Sequence, residues 1–97
     1  MIRSLGDKRT QALFERRFVP AFSSITRPAL RKLAVLNASR SLTELRSPPA
    51  NRLERLRGDL SGSWSIRIND QWRIVVRWDG EGPEGVRVVD YHQGASR

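Results

Sequence analysis

The sequence predicts an α+β domain in which two N-terminal helices pack on one face of a small antiparallel β-sheet. Up to about Ala38, apolar side chains recur at helical spacing, whereas from about Leu53 onward apolar and polar side chains alternate. The 97 residues suffice for one domain with a small core and are too few for two. We therefore expect residues 1–97 to form a single domain.

The first two elements are a short strand and a helix. The strand is expected over Met1–Leu5, and the helix over Lys8–Val19 with Asp7 as its N-cap. The proline that follows ends the helix. Phe14 and Phe18 stand one turn apart, so we expect them to stack on its apolar side.

A second helix is expected to start near Pro28, a favourable residue for a first turn, and to run to about Ala38. Thr26 or Arg27 is the expected cap. Two shorter features follow, namely one turn at Ser41–Leu45 and an extended segment at Ser47–Pro49.

Three strands are predicted in the second half of the chain, at Trp64–Ile68, Trp72–Trp78 and Val86–Tyr91. In the first two of these strands the large apolar residues carry even numbers. Since successive side chains of a strand point to opposite faces, the even-numbered side chains should face the helices and the odd-numbered ones should face away.

This parity also predicts the pairing of the strands, because paired residues must share a face. The turn after the first strand then places Arg67 opposite Arg73. In the next hairpin the same rule allows Trp78 opposite Val86, which places Tyr91 opposite Arg73. Arg67, Arg73 and Tyr91 would form a row on the face turned away from the helices, where Arg73 is expected to be exposed.

The charge of the chain points to a polyanionic partner. Eighteen basic and ten acidic residues give a net charge of +8, and sixteen of the basic residues are arginine. Arginine contacts phosphate through two parallel hydrogen bonds, and nucleic acid is the commonest polyanion. A merely solvated basic surface explains the composition equally well, so charge alone leaves both interpretations open.

The C-terminal end of the row adds groups that can do chemistry. Tyr91 supplies a hydroxyl and a ring for stacking, and His92 is the chain's only histidine. Imidazole is the side chain whose ordinary pKa suits proton transfer near neutral pH. Arginines facing each other repel unless they are solvated or hold an anion. We therefore treat Asp90, Tyr91, His92 and the two arginines as one candidate site.

Other classes of function find little support. The chain has no cysteine, and no cluster of His, Asp and Glu has the spacing of a metal site, so we expect no metal and no cofactor. No apolar run approaches the length of a membrane span, and no signal peptide is apparent. We expect a soluble cytoplasmic protein without a membrane partner.

Several motifs resemble the HigB group of the RelE-like bacterial toxins. They are the run from Leu56 to Ile74, which contains Gly-Ser-Trp-Ser-Ile-Arg-Ile-Asn and Gln-Trp-Arg-Ile, the pair Arg77-Trp78, and the closing Val89-Asp-Tyr-His92. The openings Ile2-Arg-Ser and Leu13-Phe-Glu15 are also similar. The likeness extends over nearly the whole chain.

This resemblance implies a RelE-like fold and a toxin of a type II toxin–antitoxin system. Such a toxin is a ribosome-dependent endoribonuclease that cleaves translated mRNA. A HigA-like antitoxin with a helix-turn-helix domain would neutralise it, and operator DNA would be contacted only through that antitoxin.

The resemblance also assigns roles to single residues. Arg73 matches an arginine that binds the reacting phosphate, and Asp90, Tyr91 and His92 match a closing motif that transfers protons or orients the RNA. Three positions depart from the group: Arg57 stands where relatives commonly have Lys, Glu54 where some have His, and Val76 where a bulkier aromatic residue is common.

We accordingly predict a metal-independent endoribonuclease. His92 is the general acid or base, positioned by Asp90, and Tyr91 orients or stacks on the RNA. The predicted phosphate-binding residues beside Arg73 are Arg57, Arg67 and Arg77. The alternative from another class is a non-catalytic basic nucleic-acid-binding module, or a toxin-fold subunit that acts only as a corepressor.

Overall fold

The computed structural model describes residues 1–78 and 80–91, and it confirms the predicted class. Two α-helices, α1 (Lys8–Phe14) and α2 (Thr26–Ala38), pack on one antiparallel sheet. The strands are β1 (Glu54–Arg55), β2 (Ser63–Arg67), β3 (Trp72–Trp78) and β4 (Pro83–Asp90), in the order β1-β2-β3-β4. Short 3₁₀ turns occupy Pro20–Phe22, Leu42–Arg46, Pro49–Asn51 and Gly58–Leu60.

Helix α1 is shorter than predicted. Asp7 caps it as expected, because its carboxylate accepts a hydrogen bond of 2.8 Å from the Thr10 amide. The helix ends at Phe14 and does not reach Val19, since Arg16 adopts a left-handed conformation (φ 65°). The predicted stacking of Phe14 on Phe18 is wrong: Phe18 lies beyond the helix and is 76% exposed.

Helix α2 matches its predicted end at Ala38 and has Pro28 in its first turn. The predicted caps are wrong. Ile25 occupies the cap position without a side-chain hydrogen bond, and Thr26 already belongs to the helix. The Thr26 hydroxyl donates a bond of 2.8 Å to the carbonyl of Phe22, which continues the chain of turns leading into the helix.

Between α2 and the sheet the chain forms short turns, and the buried side-chain amide of Asn51 fixes this segment through hydrogen bonds. The turn predicted at Ser41–Leu45 is the 3₁₀ turn Leu42–Arg46, while only part of the predicted extended segment is extended, because Pro49 starts another turn. The fully buried Asn51 side chain donates to the carbonyls of Leu45 and Ser47 and accepts from the Lys32 ammonium. These bonds fix the chain just before Arg52.

The register of the sheet is partly as predicted. Strands β2 and β3 pair with Arg67 opposite Arg73, as the parity rule requires. Between β3 and β4 the prediction is wrong by two residues, because Arg73 faces Val89 and not Tyr91. A bulge between Val75 and Arg77 shifts the ladder again toward the loop. A shift of two residues keeps the same side chains on the core face, so parity cannot detect it.

The N-terminal segment covers the free edge of β4. Leu5 forms a single parallel bridge with Val86, so the strand expected over Met1–Leu5 is reduced to one bridged residue. The amides of Arg3 and Gly6 donate to the carbonyls of Pro83 and Val86, both at 2.7 Å. Gly6 is required by this close approach, since a Cβ there would lie 2.7 Å from the Gly85 carbonyl oxygen.

The core lies between the helices and the even-numbered side chains of β2 and β3, joined by Val86 and Val88 of β4. Phe22 and Trp72 meet edge to face at its centre, with ring centroids 5.5 Å apart. The opposite face of the sheet, which we call the outer face, carries the candidate site. None of the helices among residues 1–78 and 80–91 has the length and apolar character that a bilayer span requires.

Candidate functional site

The outer face collects charged side chains from all four strands. The odd-numbered residues of β2 and β3 point to it, as do residues paired with them on β1 and β4. Its members are Glu54, Ser63, Ser65, Arg67, Arg73, Val75, Arg77, Glu84, Arg87 and Val89. Tyr91 follows directly after β4 and joins them through its ring.

Arg73 is buried, not exposed as predicted. Only 7% of the residue is accessible, although it lies on the expected face. Its Nε donates to the Ser65 hydroxyl at 2.9 Å and its Nη2 donates to the Arg52 carbonyl at 2.5 Å. The prediction failed because chain preceding β1 and the ring of Tyr91 cover this part of the sheet.

The environment of Arg73 keeps a positive charge inside the protein. Burial lowers the pKa of its guanidinium, and the Glu54 carboxylate, 3.6 Å from Nη2, partly offsets that effect. Arginine retains its proton even so. The Tyr91 ring centroid lies 5.1 Å from the Arg73 Cζ, in the geometry of a cation–π contact. A positive charge is therefore held beneath an aromatic ring.

Arg67 and Arg73 tolerate each other because each has its own carboxylate. Arg67 donates to Asp70 at 2.5 Å, and Arg73 is near Glu54. The structure thus brings together Arg67, Arg73 and Tyr91, the three predicted members of the row. Arg73 pairs with Val89 in the sheet, and Tyr91, two residues further along the chain, contacts Arg73 through its ring.

Glu54 is the member that sequence reasoning missed. It pairs with Ser65 and so lies on the outer face, with about half of its side chain exposed. Strand β1 has only two residues, so it carries no alternation that could have revealed it. The sequence showed that Glu54 stands where some relatives have His, but it did not show that Glu54 lies beside Arg73.

Two of the predicted phosphate-binding residues lie apart from the row. Arg77 is exposed and four residues along β3 from Arg73, about 13 Å at the usual rise of a strand. It forms an ion pair with Glu84, with 3.9 Å between Arg77 Nη2 and Glu84 Oε1. Arg57 is exposed in the chain after β1 and forms no hydrogen bond or ion pair with any described residue of the row.

The closing motif is only partly described. Asp90 pairs with Trp72, so it lies on the face that packs on the helices. Its carboxylate accepts a hydrogen bond of 3.1 Å from Nε2 of the Gln71 side chain. The Tyr91 amide donates to the Gln71 carbonyl at 2.6 Å, which anchors the motif to the β2–β3 turn. His92 lies outside the described residues, so its predicted contact with Asp90 stays a prediction.

Among residues 1–78 and 80–91, no group of three His, Cys, Asp or Glu side chains could hold a metal ion. The side chains around Arg73 offer guanidinium groups, the carboxylates of Glu54 and Asp70, and the phenol of Tyr91. Such a set binds and polarises a phosphodiester, with Tyr91 able to stack on a base.

Comparison with known proteins identifies relatives of this chain. Residues 8–92 match the family described as the RelE-like toxin of the type II toxin–antitoxin system HigB. The toxin HigB-1 of Vibrio cholerae is 45% identical over 62 residues, which is 64% of this chain and 63% of the relative. An uncharacterised protein of Haemophilus influenzae is 37% identical over 57 residues, or 59% and 56% of the two chains.

The fold has a solved counterpart. A chain of the YoeB–YefM complex from Staphylococcus aureus superposes with a TM-score of 0.61, covering 95% of this chain and 98% of its own, at 18% identity. At this identity the likeness concerns the fold alone, and it confirms the RelE-like architecture. The curated relatives align over less than two thirds of their own lengths.

The contacts of Arg73 predict that it stabilises the fold, contrary to the expectation for an exposed side chain. Arg73→Ala removes the donor to the Arg52 carbonyl and the Ser65 hydroxyl, which should lower the free energy of unfolding by about 1–3 kcal/mol. The control is Arg77→Ala, which removes an exposed arginine of the same strand. It should change the free energy of unfolding by less than about 0.5 kcal/mol. Urea unfolding measures both; equal effects would show that the buried contacts contribute nothing.

Proposed function

Because the chain belongs to the HigB family of RelE-like toxins, we propose that it is a toxin that cleaves mRNA on the ribosome and so arrests translation. The observation that carries the proposal is the cluster of Arg67, Arg73 and Tyr91 on the outer face. Its charges suit a phosphodiester and its ring suits a base, as a surface that binds RNA requires.

Cleavage of RNA by its own 2′-hydroxyl has three requirements: removal of the hydroxyl proton, stabilisation of the charge that grows on the phosphorus oxygens, and protonation of the departing 5′-oxygen. Arg73 serves the second. Its charge is fixed in a partly desolvated position, where it acts more strongly than in water. Arg67 supports it, and Arg57 and Arg77 bind more distant phosphates.

Proton transfer is assigned to His92, with Asp90 holding it and Tyr91 orienting the RNA. The assignment is supported by the neighbouring Tyr91, whose ring covers Arg73 and whose amide is anchored to Gln71. The products would be a 2′,3′-cyclic phosphate and a 5′-hydroxyl, and no metal or cofactor takes part.

We further propose an antitoxin partner, a HigA-like protein with a helix-turn-helix domain that neutralises the toxin. The fold neighbour from Staphylococcus aureus belongs to a toxin–antitoxin complex, which supports this part of the proposal. The antitoxin would contact operator DNA, whereas the outer face of the toxin would contact mRNA and the ribosome. The toxin would act in the cytoplasm.

One observation favours the alternative of a non-catalytic binder or corepressor. The Nε and Nη2 donors of Arg73 are already bonded to protein acceptors, so this arginine offers a phosphate fewer hydrogen bonds than an exposed one does. Binding without cleavage would be the expected behaviour of such a surface, and the next two experiments distinguish it from an enzyme.

Induced expression of the protein should arrest growth, and mRNA from the arrested cells should carry new cuts within translated frames. The Tyr91→Ala variant, which removes the ring over Arg73, should be much less toxic at equal abundance. Mapping of mRNA 5′ ends before and after induction measures the cuts. Unbroken mRNA with abundant folded protein would favour the binder.

His92→Gln should reduce cleavage by at least about 100-fold, because glutamine keeps the size and hydrogen bonding of histidine but cannot exchange a proton near neutral pH. Single-turnover cleavage on programmed ribosomes measures the rate. A chain ending after His92 is the control and should retain activity, whereas one ending after Val89 should not. Wild-type cleavage by His92→Gln would contradict the assignment of proton transfer to His92.

A further inference from the structure

Arg52 has an unusual backbone conformation next to the site. Its φ and ψ of 46° and 58° lie in the left-handed region, which side chains other than glycine and asparagine seldom adopt. Both sides of the residue are fixed: Asn51 is buried and hydrogen-bonded before it, and its own carbonyl accepts from Arg73 Nη2. A glycine would adopt this conformation with less strain, so the geometry alone does not account for an arginine.

The Arg52 side chain is exposed and forms no ion pair with any described residue. Its charge is nevertheless felt at the turn between β2 and β3. The pKa of the Asp70 carboxyl is lowered, first by the hydrogen bond and charge of Arg67 and then by the charge of Arg52. The charge of Arg52 also acts on Arg73. The hydrogen bond from Arg73 to the Arg52 carbonyl places the Arg52 backbone at the turn end of the row.

This end of the sheet carries an excess of positive charge. We call Lys32, Arg52, Arg67 and Arg73 the turn-end cluster. Arg73 pairs with Arg67 and donates to the Arg52 carbonyl, and Lys32 donates to the side chain of Asn51, the residue before Arg52. Burial, followed by the charges of Arg31 and Arg67, lowers the pKa of Lys32. The two carboxylates nearby are engaged by other arginines, Asp70 by Arg67 and Glu54 by Arg73. Neither carboxylate forms an ion pair with Arg52.

We propose that Arg52 binds a backbone phosphate of the RNA that flanks the scissile phosphate. This inference rests on the proposed function, because it takes RNA to be the ligand of the outer face. A guanidinium that is exposed and joined to a fixed backbone can form paired hydrogen bonds to a phosphate with little further ordering. Arg67 is less available for this role, since Asp70 already occupies its guanidinium.

The proposal also gives Arg73 a positioning role in addition to its charge. Its bond to the Arg52 carbonyl holds the left-handed turn from which the Arg52 side chain projects. Loss of Arg73 would release that turn, whereas loss of the Arg52 side chain would leave the hydrogen bonds of Arg73 in place, because Arg73 donates to the backbone carbonyl of Arg52.

The test is Arg52→Gly, which removes the charged side chain but suits the left-handed backbone. Arg16→Gly is the matched control: Arg16 is the other non-glycine residue with positive φ among residues 1–78 and 80–91, is exposed, and lies beside Arg27 and Leu30 of α2. Both variants lose one positive charge and one strained arginine, so neither should unfold more easily than the unaltered protein.

Binding is measured with a single-stranded RNA oligonucleotide whose 2′-hydroxyls are methylated, so that it cannot be cleaved. Arg52→Gly should weaken binding about 10-fold and lower the slope of log Kd against log salt by about one, as expected for one lost phosphate contact. Arg16→Gly should change neither, and Arg52→Lys should restore the slope.

Equal affinity and slope for Arg52→Gly and the unaltered protein would overturn the inference, as would equal losses for the two glycine variants, which would show an effect of net charge alone. Cleavage of unmethylated mRNA on ribosomes is measured in parallel. Selective loss of binding in Arg52→Gly with no cleavage by the unaltered protein would support the phosphate contact and refute the nuclease.

Discussion

The outer face depends on one buried guanidinium. Arg73 joins β2 through Ser65, the chain before β1 through the Arg52 carbonyl, and the end of β4 through the ring of Tyr91. Burying a charge is unfavourable unless hydrogen bonds and an opposite charge compensate it. Here two acceptors, a carboxylate and an aromatic face do so, and the same contacts fix the groups that would meet a substrate.

In the proposed function, the buried arginine and the exposed arginines have different roles. An arginine that is held rigidly by its own protein contributes a fixed charge, and preorganised charge is the usual source of stabilisation for a growing anion. The same contacts reduce the donors it can offer to a ligand. In the proposed function, contact with phosphates is made by the exposed arginines around it, and Arg52 is the one whose carbonyl is bonded directly to Arg73.

The sequence was sufficient to predict the class of fold, the end of α2 and the β2–β3 register, because these follow from apolar spacing and parity. It was insufficient for the β3–β4 register and for the burial of Arg73, which local patterns do not determine. Parity permits any even shift, so the pairing of Arg73 with Val89 was missed. Burial of Arg73 was missed because part of its cover, Arg52, comes from 21 residues earlier in the chain. The role of His92 rests on family resemblance and on the chemistry of imidazole.

A side chain of Arg73 that is locked within the outer face should protect its Nε proton, and hydrogen exchange of arginine Nε protons, observed by NMR, measures that protection. The Arg73 Nε proton, bonded to the Ser65 hydroxyl in a buried position, should exchange with water far more slowly than that of the exposed Arg77. In a Ser65→Ala variant this protection should fall. Equally fast exchange of the two Nε protons in the unaltered protein would contradict the account.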